Sequence, residues 1–332
     1  MDRREFVKGI AAAGTFGATA PWVGKSALER EEDLFQISLS QWGFHRAILG
    51  NARDNYSEFI KTLNTNPDGV LKGYLDSRDI VVKAKEFGVG TVDLVNILWF
   101  GHARDEPWLD EFKRRAEAAG VGFGVLMCDQ TGLIGARAKE DRKASIELHK
   151  EWFEAAAYLG CPYLRVNPYG EGNYLQQCRQ CAESLKELGD LSADFGLEVL
   201  VENHGHPGSN GAWLAMLMEM ADHPRVGVYT DFDNFFMGGW GLVPERRYDR
   251  LQGLLDLAPY TRSVSAKSHD FGPDGEETTI DYNQCLRTVL DAGFRGLASA
   301  EFEGDRLSEQ EGSRLTAELL KRERKKLKSA YS

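Results

Sequence analysis

From residue 35 onward the chain alternates short apolar or β-branched runs with longer stretches of helical periodicity. The short runs predict strands at FQISLS from residue 35, TVDLVNI from 91, GFGVLMCD from 122 and YLRVNPY from 163. Four more follow: LEVLVENH from 197, VGVYTDFDN from 226, SVSAKSHDF from 263 and GLASAEFEG from 296. Between them lie amphipathic stretches such as SRDIVVKAKEFG, EPWLDEFKRRAEAAG, SIELHKEWFEAAAYLG and DYNQCLRTVLDAGF, several closed by the glycine expected just past a helix C-terminus. Eight successive β/α units predict an α/β fold, a closed (β/α)8 TIM barrel forming a single domain over residues 34–332. An open doubly wound sheet is the alternative, but no glycine-rich phosphate loop follows the first strand.

One connection is too long for a loop. About 50 residues separate the first strand from the second, and GNARDNYSEFIKTLNTNPDGVLKG within it reads as a lid, a subunit contact compatible with a homo-oligomer, or a surface excursion with its own helix. A length of 332 residues, 42% of them hydrophobic, suits one large core, and no apolar run reaches membrane-spanning length. The formal charge of −11 opposes binding to nucleic acid. The basic run KRERKKLK at 321–328 falls in the last turns of a C-terminal helix, where cations suit the helix dipole, and reads as a solvated helix end. Five cysteines show no disulfide-framework spacing; Cys178 and Cys181 form C-x-x-C inside a helical stretch, which favours packing over redox chemistry.

The N-terminal segment has a charged start, a weakly apolar Ala/Gly-rich middle and small residues after it. Arg3-Arg4 followed by Glu5, Phe6, Val7 and Lys8 resembles a twin-arginine export signal over residues 1–27. That resemblance implies a partner in the twin-arginine translocation machinery, a periplasmic or secreted location without a membrane anchor, and a cofactor acquired before export.

In such a barrel the chemistry collects at the C-terminal ends of the strands. The fifth predicted strand ends on Glu202 and His204, the sixth on Asp231 and Asp233, the seventh on Lys267 and His269, and the eighth on Glu301 and Glu303. Alternation places each pair on one face. Glu202, Asp231, His269 and Glu301 therefore gather from four adjacent strands, and three carboxylates with one imidazole call for a divalent cation. An oxygen-rich set suits Mn²⁺ foremost, with Mg²⁺, Co²⁺, Fe²⁺ or Zn²⁺ as alternatives. His204 reads as a substrate contact or proton relay, and Lys267 as a catalytic cation or a partner of nearby carboxylates. Trp42 and His45 suit a sugar face and a hydroxyl; Arg165 and Asn167 suit substrate binding or the ordering of Glu202. Asn203 and Asn234 join them as substrate-binding candidates. His102, His149 and His223 read as solvated positions.

The motifs SLSQWGFHRAI, VDLVN, LRVNPYGEG, VLVENHGHPGSNGAWL, VYTDFDNF, VSAKSHDFGPDGEETTIDY and ASAEFEG are similar to those of the sugar phosphate isomerase/epimerase family. These xylose-isomerase-like barrels include ketose 3-epimerases and inosose dehydratase, with AP-endonuclease-type nucleases as relatives. The resemblance implies that Glu202, Asp231 and Glu301 bind metal and that Glu202 and Glu301 move a proton beside a carbonyl. The family places a histidine two residues before the lysine of the seventh strand; Ser265 stands there, and His269 is the candidate to supply the imidazole instead.

These readings converge on a divalent-metal-dependent isomerase or epimerase that acts on a ketose or keto-sugar through an enediolate. A lyase or dehydratase would use the same groups. A metal-dependent hydrolase of the AP-endonuclease type needs more histidines and a cationic groove. A non-catalytic periplasmic sugar-binding protein is the remaining alternative, and Ser265 keeps it open.

Overall fold

The computed structural model describes residues 33–238 and 241–331. Eight parallel strands close into a barrel in the order β1 to β8. They are β1 Gln36–Ser40, β2 Thr91–Val95, β3 Gly122–Met127 and β4 Tyr163–Val166. The second half comprises β5 Glu198–Glu202, β6 Val226–Asp231, β7 Thr261–Ser268 and β8 Leu297–Phe302. All eight expected strands are present in their expected places. Each run is apolar because strands of such a barrel are covered by the ring of helices outside and by side chains within. β1 pairs with β8 from Gln36↔Leu297 to Leu39↔Ala300, which closes the ring.

The helices are numbered here in chain order. The connection from β1 to β2 carries α1 His45–Leu49, α2 Tyr56–Thr65 and α3 Ile80–Glu86. The rest are α4 Glu106–Ala119, α5 Lys139–Leu159, α6 Tyr174–Ala193, α7 Gly211–Ala221, α8 Arg250–Leu257, α9 Tyr282–Asp291 and α10 Glu309–Tyr331. Asp105, Asn210, Asp249 and Asp281 cap their helices by accepting from backbone amides of the first turn. Asn173 and Gln176 make a reciprocal capping box on α6. Gly120 and Gly160 end α4 and α5 in the left-handed region, the role their positions predicted.

The long excursion after β1 is a structured wall. Gln41 is buried; its amide donates to Ser77 O at 2.8 Å and accepts from Val95 N at 2.9 Å, tying the excursion to β2. The amides of Arg46 and Ala47 donate to the Glu309 carboxylate, both at 2.8 Å, so α1 is held by the first residue of the closing helix α10.

Three surface expectations are corrected. The basic run on α10 is only partly solvated. Lys321 donates to Phe87 O, Arg322 to Gly275 O at 2.7 Å and Arg324 to Phe35 O at 2.9 Å, because long basic side chains reach carbonyls left over at neighbouring element ends. His149 is not solvated: it is 1% exposed within α5. His102 and His223 are also engaged, with Asp105 and Asp68 in one case and Asp190 in the other. Cys178 and Cys181 are free and fully buried, consistent with packing. Among the described residues no helix is long and apolar enough to cross a membrane.

Candidate active site

A cavity of ≈ 640 Å³ opens at the C-terminal mouth of the barrel, within the size range of small-molecule sites. Tyr56 and Phe59 of α2, with Arg53 before it, form one wall; the turn Gln130 to Gly132 after β3 forms another. Trp42, His45, Arg165, Asn167, Glu202, His204, Asn234, Lys267, His269 and Glu301 all line it, as expected of candidate site residues. Asn203 and Asp231 do not reach the lining.

Glu202 ends β5 and is 3% exposed. Its Oε1 accepts from Asn234 Nδ2 at 2.8 Å, and its Oε2 lies 2.8 Å from Arg165 Nε. Arg165 also donates to Asp129 Oδ1 at 2.9 Å, and Asn167 donates to the same oxygen at 2.8 Å. Arg165 thus orders Glu202 from behind while Asp129 orders Arg165. Burial pushes the Glu202 carboxyl above its ordinary range; Arg165 opposes this, and the Asp231 and Glu301 charges add to the rise.

Glu301, on β8, stands in register with Lys267 of β7. Its Oε2 accepts from Ser40 Oγ at 2.8 Å. Burial raises its proton affinity as well, against the pull of Lys267. Glu303, two residues on, accepts from the Trp42 indole and from Lys267 Nζ at 2.8 Å. There burial acts upward, but the Lys267 charge wins and holds Glu303 down at about 2. Gly304 permits this close approach of strand ends: a Cβ there would stand 1.7 Å from His269 O.

Lys267 is 4% exposed and sits among acids. Besides Glu303, its Nζ donates to Asn234 Oδ1 at 3.1 Å and lies 3.4 Å from both Asp231 Oδ2 and Glu301 Oε1. Burial disfavours its charge, yet Asp231, Glu303 and Glu301 hold it well above its usual range. Asp231 is fully buried; its Oδ1 accepts from the amides of Asp233 and Asn234 at 2.7 and 2.8 Å, leaving Oδ2 to face the ammonium. Asn203 is a strand-end brace: its amide accepts from Asp231 N at 2.7 Å and donates to Asp231 O at 2.9 Å, so the expected substrate contact is replaced by a contact that fixes Asp231.

His269 does not face the carboxylates expected to share a metal with it. Its Nε2 bonds Asp233 Oδ2 at 2.9 Å, and Asp233 is also held by Arg247 and Arg250. His204 bonds Tyr169 through Nδ1. Burial, with the nearby Arg165 charge, lowers His204 to about 3, so it is a neutral imidazole at any working pH. His45 is likewise neutral, lowered by burial to about 4, and its ring stacks on Trp42 at 4.4 Å.

The test of the expected cation is the chemistry of this donor set. Glu202 Oε2 and Asp231 Oδ2 are buried oxygens that accept no well-formed hydrogen bond, yet each already faces a cation, Arg165 or Lys267. Among the described residues no group of three or more His, Cys, Asp or Glu side chains is arranged to hold a metal ion. As arranged, the four expected ligands do not fit a divalent ion.

The residues given no site role from the sequence are Glu303, Asp233, Asp129 and Tyr169. The first three end predicted strands, and the alternation that selected Glu301 and Asp231 also pointed at Glu303 and Asp233.

Fold and site together define a (β/α)8 barrel with a carboxylate-lined small-molecule cavity at the C-terminal mouth. Residues 81–323 match the family described as Xylose isomerase-like TIM barrel, and the chain belongs to it. No curated protein matches the sequence significantly. Among solved structures it is similar to 3-keto-D-glucoside 4-epimerase, YcjR, from E. coli, with 16% identity, TM-score 0.57, and coverage of 74% of this chain and 94% of that one. The probable 3-DHS dehydratase AsbF from Bacillus anthracis shares 14% identity at TM-score 0.57, covering 86% of this chain and 99% of that one. The IOLI protein with a binding zinc atom shares 15% at TM-score 0.59, covering 75% and 93%. At these identities the likeness establishes the fold.

Proposed function

We propose that the protein is a sugar isomerase or epimerase that moves a proton next to the carbonyl of a ketose or keto-sugar. The observation that carries this reading is a pair of buried carboxyls, Glu202 and Glu301, both with raised proton affinity and both lining one cavity with Lys267 beside them. A carboxylate of ordinary acidity is a poor base for a carbon-bound proton; burial makes each of these a better one.

In the proposed reaction Glu202 removes the proton, the C–H electron pair becomes the C=C of an enediolate, and Glu301 returns a proton to the carbon. Arg165 and Asn234 hold Glu202, and Ser40 holds Glu301. Neutral His204 and the Trp42–His45 pair flank the cavity as donors and an apolar sugar face. The IOLI structure, of similar fold, holds a zinc atom; in this chain the cations beside the two glutamates are Arg165 and Lys267.

A dehydratase is the second reading, supported by the similarity to the probable 3-DHS dehydratase AsbF, because a β-hydroxyl could leave the same enediolate as water on taking the proton of Glu301, with no new residue. Proton NMR of mixed ketoses and 3-keto-glycosides in D₂O separates the readings. Epimerisation exchanges the carbon-bound hydrogen for deuterium in an intact sugar, dehydration yields an alkene, and no change in any spectrum defeats both. Export by the twin-arginine route is proposed as well; its signal lies outside the described residues. Arg3→Lys with Arg4→Lys should retain the protein in the cytoplasm, and unchanged export would refute the assignment.

A further inference from the structure

The centre of the acidic cluster is already taken by a charge from the chain itself. Lys267 projects from β7 at the level of Glu301, its register partner on β8. Its Nζ stands 2.8 Å from Glu303 Oε2, 3.1 Å from Asn234 Oδ1 and 3.4 Å from oxygens of Asp231 and Glu301. Along the same strand face, neither neighbour offers a nitrogen ligand. Ser265 below is short and fully buried. His269 above is committed to Asp233, which Arg247 and Arg250 hold in turn. A divalent ion in this cluster would compete with the ammonium for the same carboxylate oxygens and be repelled by it.

We infer that Lys267 is the resident cation of the site, standing in the place of a divalent metal, and that the protein binds no such metal there. Resting on the proton-transfer reading, Lys267 Nζ–H is then the donor to the substrate carbonyl. As Glu202 takes the carbon-bound proton, the carbonyl π pair moves onto oxygen and the ammonium holds that charge by hydrogen bonding without giving up its proton.

The occupancy claim is tested on the full chain without any substrate. Chelator-stripped protein is equilibrated with Mn²⁺ alone and Zn²⁺ alone; bound metal is read by electron paramagnetic resonance for Mn²⁺ and by elemental analysis after gel filtration for Zn²⁺. Wild type should hold no stoichiometric metal. Lys267→Met should gain a site, tightening Mn²⁺ binding by at least about tenfold because a like charge is removed; Lys267→Arg, which keeps the charge, should not. One ion per chain in wild type that is lost in Glu301→Gln overturns the inference, and so does a folded Lys267→Met with no gain. If Lys267→Met does not fold, the wild-type titration decides alone. Absence of deuterium exchange with every sugar would defeat the proposed reaction and leave the metal result standing.

Discussion

His149 provides a sharp quantitative handle on the wall of the cavity. Its Nδ1 lies 2.8 Å from Ser145 O, and a carbonyl only accepts, so the ring proton sits on Nδ1. Nε2 is then the acceptor for the Thr131 hydroxyl at 2.9 Å. Thr131 lines the cavity, and its carbonyl accepts from Ser145 Oγ at 2.7 Å. Burial lowers His149 from 6.5 to about 4, with the Ser145 carbonyl opposing. The unfolded chain takes a proton first, so the stability from neutral His149 is full above 6.5 and is lost as pH falls towards 4. The loss across that window is about 3 kcal/mol, from 1.36 kcal/mol per unit. Urea unfolding of wild type and His149→Gln at a series of pH values between 7 and 4 isolates this contribution, because every carboxylate titrates in both proteins. The wild-type curve should fall towards the variant's as the solution is acidified. Curves that stay parallel would refute the reasoning, since they would mean that the buried ring accepts its proton in place.

Asn203→Ala should destabilise the protein by about 2–5 kcal/mol, since two buried backbone groups of Asp231 lose their partners; a denaturation midpoint shifted by less than about 1 kcal/mol would contradict the bracing role. Glu202→Gln and Glu301→Gln should each lower kcat by about 10²–10⁴-fold with the fold intact by circular dichroism, and activity unaffected by either would remove the two-base mechanism. The kcat/KM profile should rise as one carboxyl ionises and fall as the second does, with both limbs above the ordinary carboxylate range because burial raises both groups; an acid limb at the usual carboxylate value would show that neither acts from its buried state.

The strands were legible because a barrel strand of this kind is covered on both sides, so its apolar run is continuous and stops where the mouth begins. The same logic located Glu202, Asp231, Lys267 and Glu301. What alternation gives is a face, and it is silent about depth and about which of several partners a side chain selects. Asp233 lies two residues beyond the proposed ligand Asp231, and His269, itself a proposed ligand, lies two residues beyond Lys267 and lines the mouth. Whether His269 turns inward to the metal set or across to Asp233 depends on Arg247 and Arg250, which arrive from beyond β6 and fix Asp233. Asn203, expected at the substrate, has its amide engaged with the Asp231 backbone, for a related reason. A polar residue at a strand end looks the same in sequence whether it faces the cavity or extends the hydrogen bonding between β5 and β6. His149 was misjudged because its polarity was weighed without its place on α5: it lies three or four residues from Ser145, Ile146, Trp152 and Phe153, on the stripe that faces inward beneath the turn carrying Thr131.

The charge balance of the site explains why a single lysine and two proton-holding glutamates belong together. Glu202, Asp231, Glu301 and Glu303 are served by two cations, Arg165 and Lys267. Glu303, closest to the ammonium, is driven down, while Glu202, Asp231 and Glu301 are pushed up. A divalent ion bound among these oxygens would bring more positive charge and lower the proton affinity of every carboxylate beside it. The monovalent ammonium neutralises one acid fully and leaves the others under-compensated in a buried setting. In the proposed reaction this under-compensation makes Glu202 a better base for a carbon-bound proton. On this argument Lys267→Met should raise the affinity of Glu301 for its proton still further, shifting the limbs of the pH profile upward, whereas a metal filling the vacated place would shift them down.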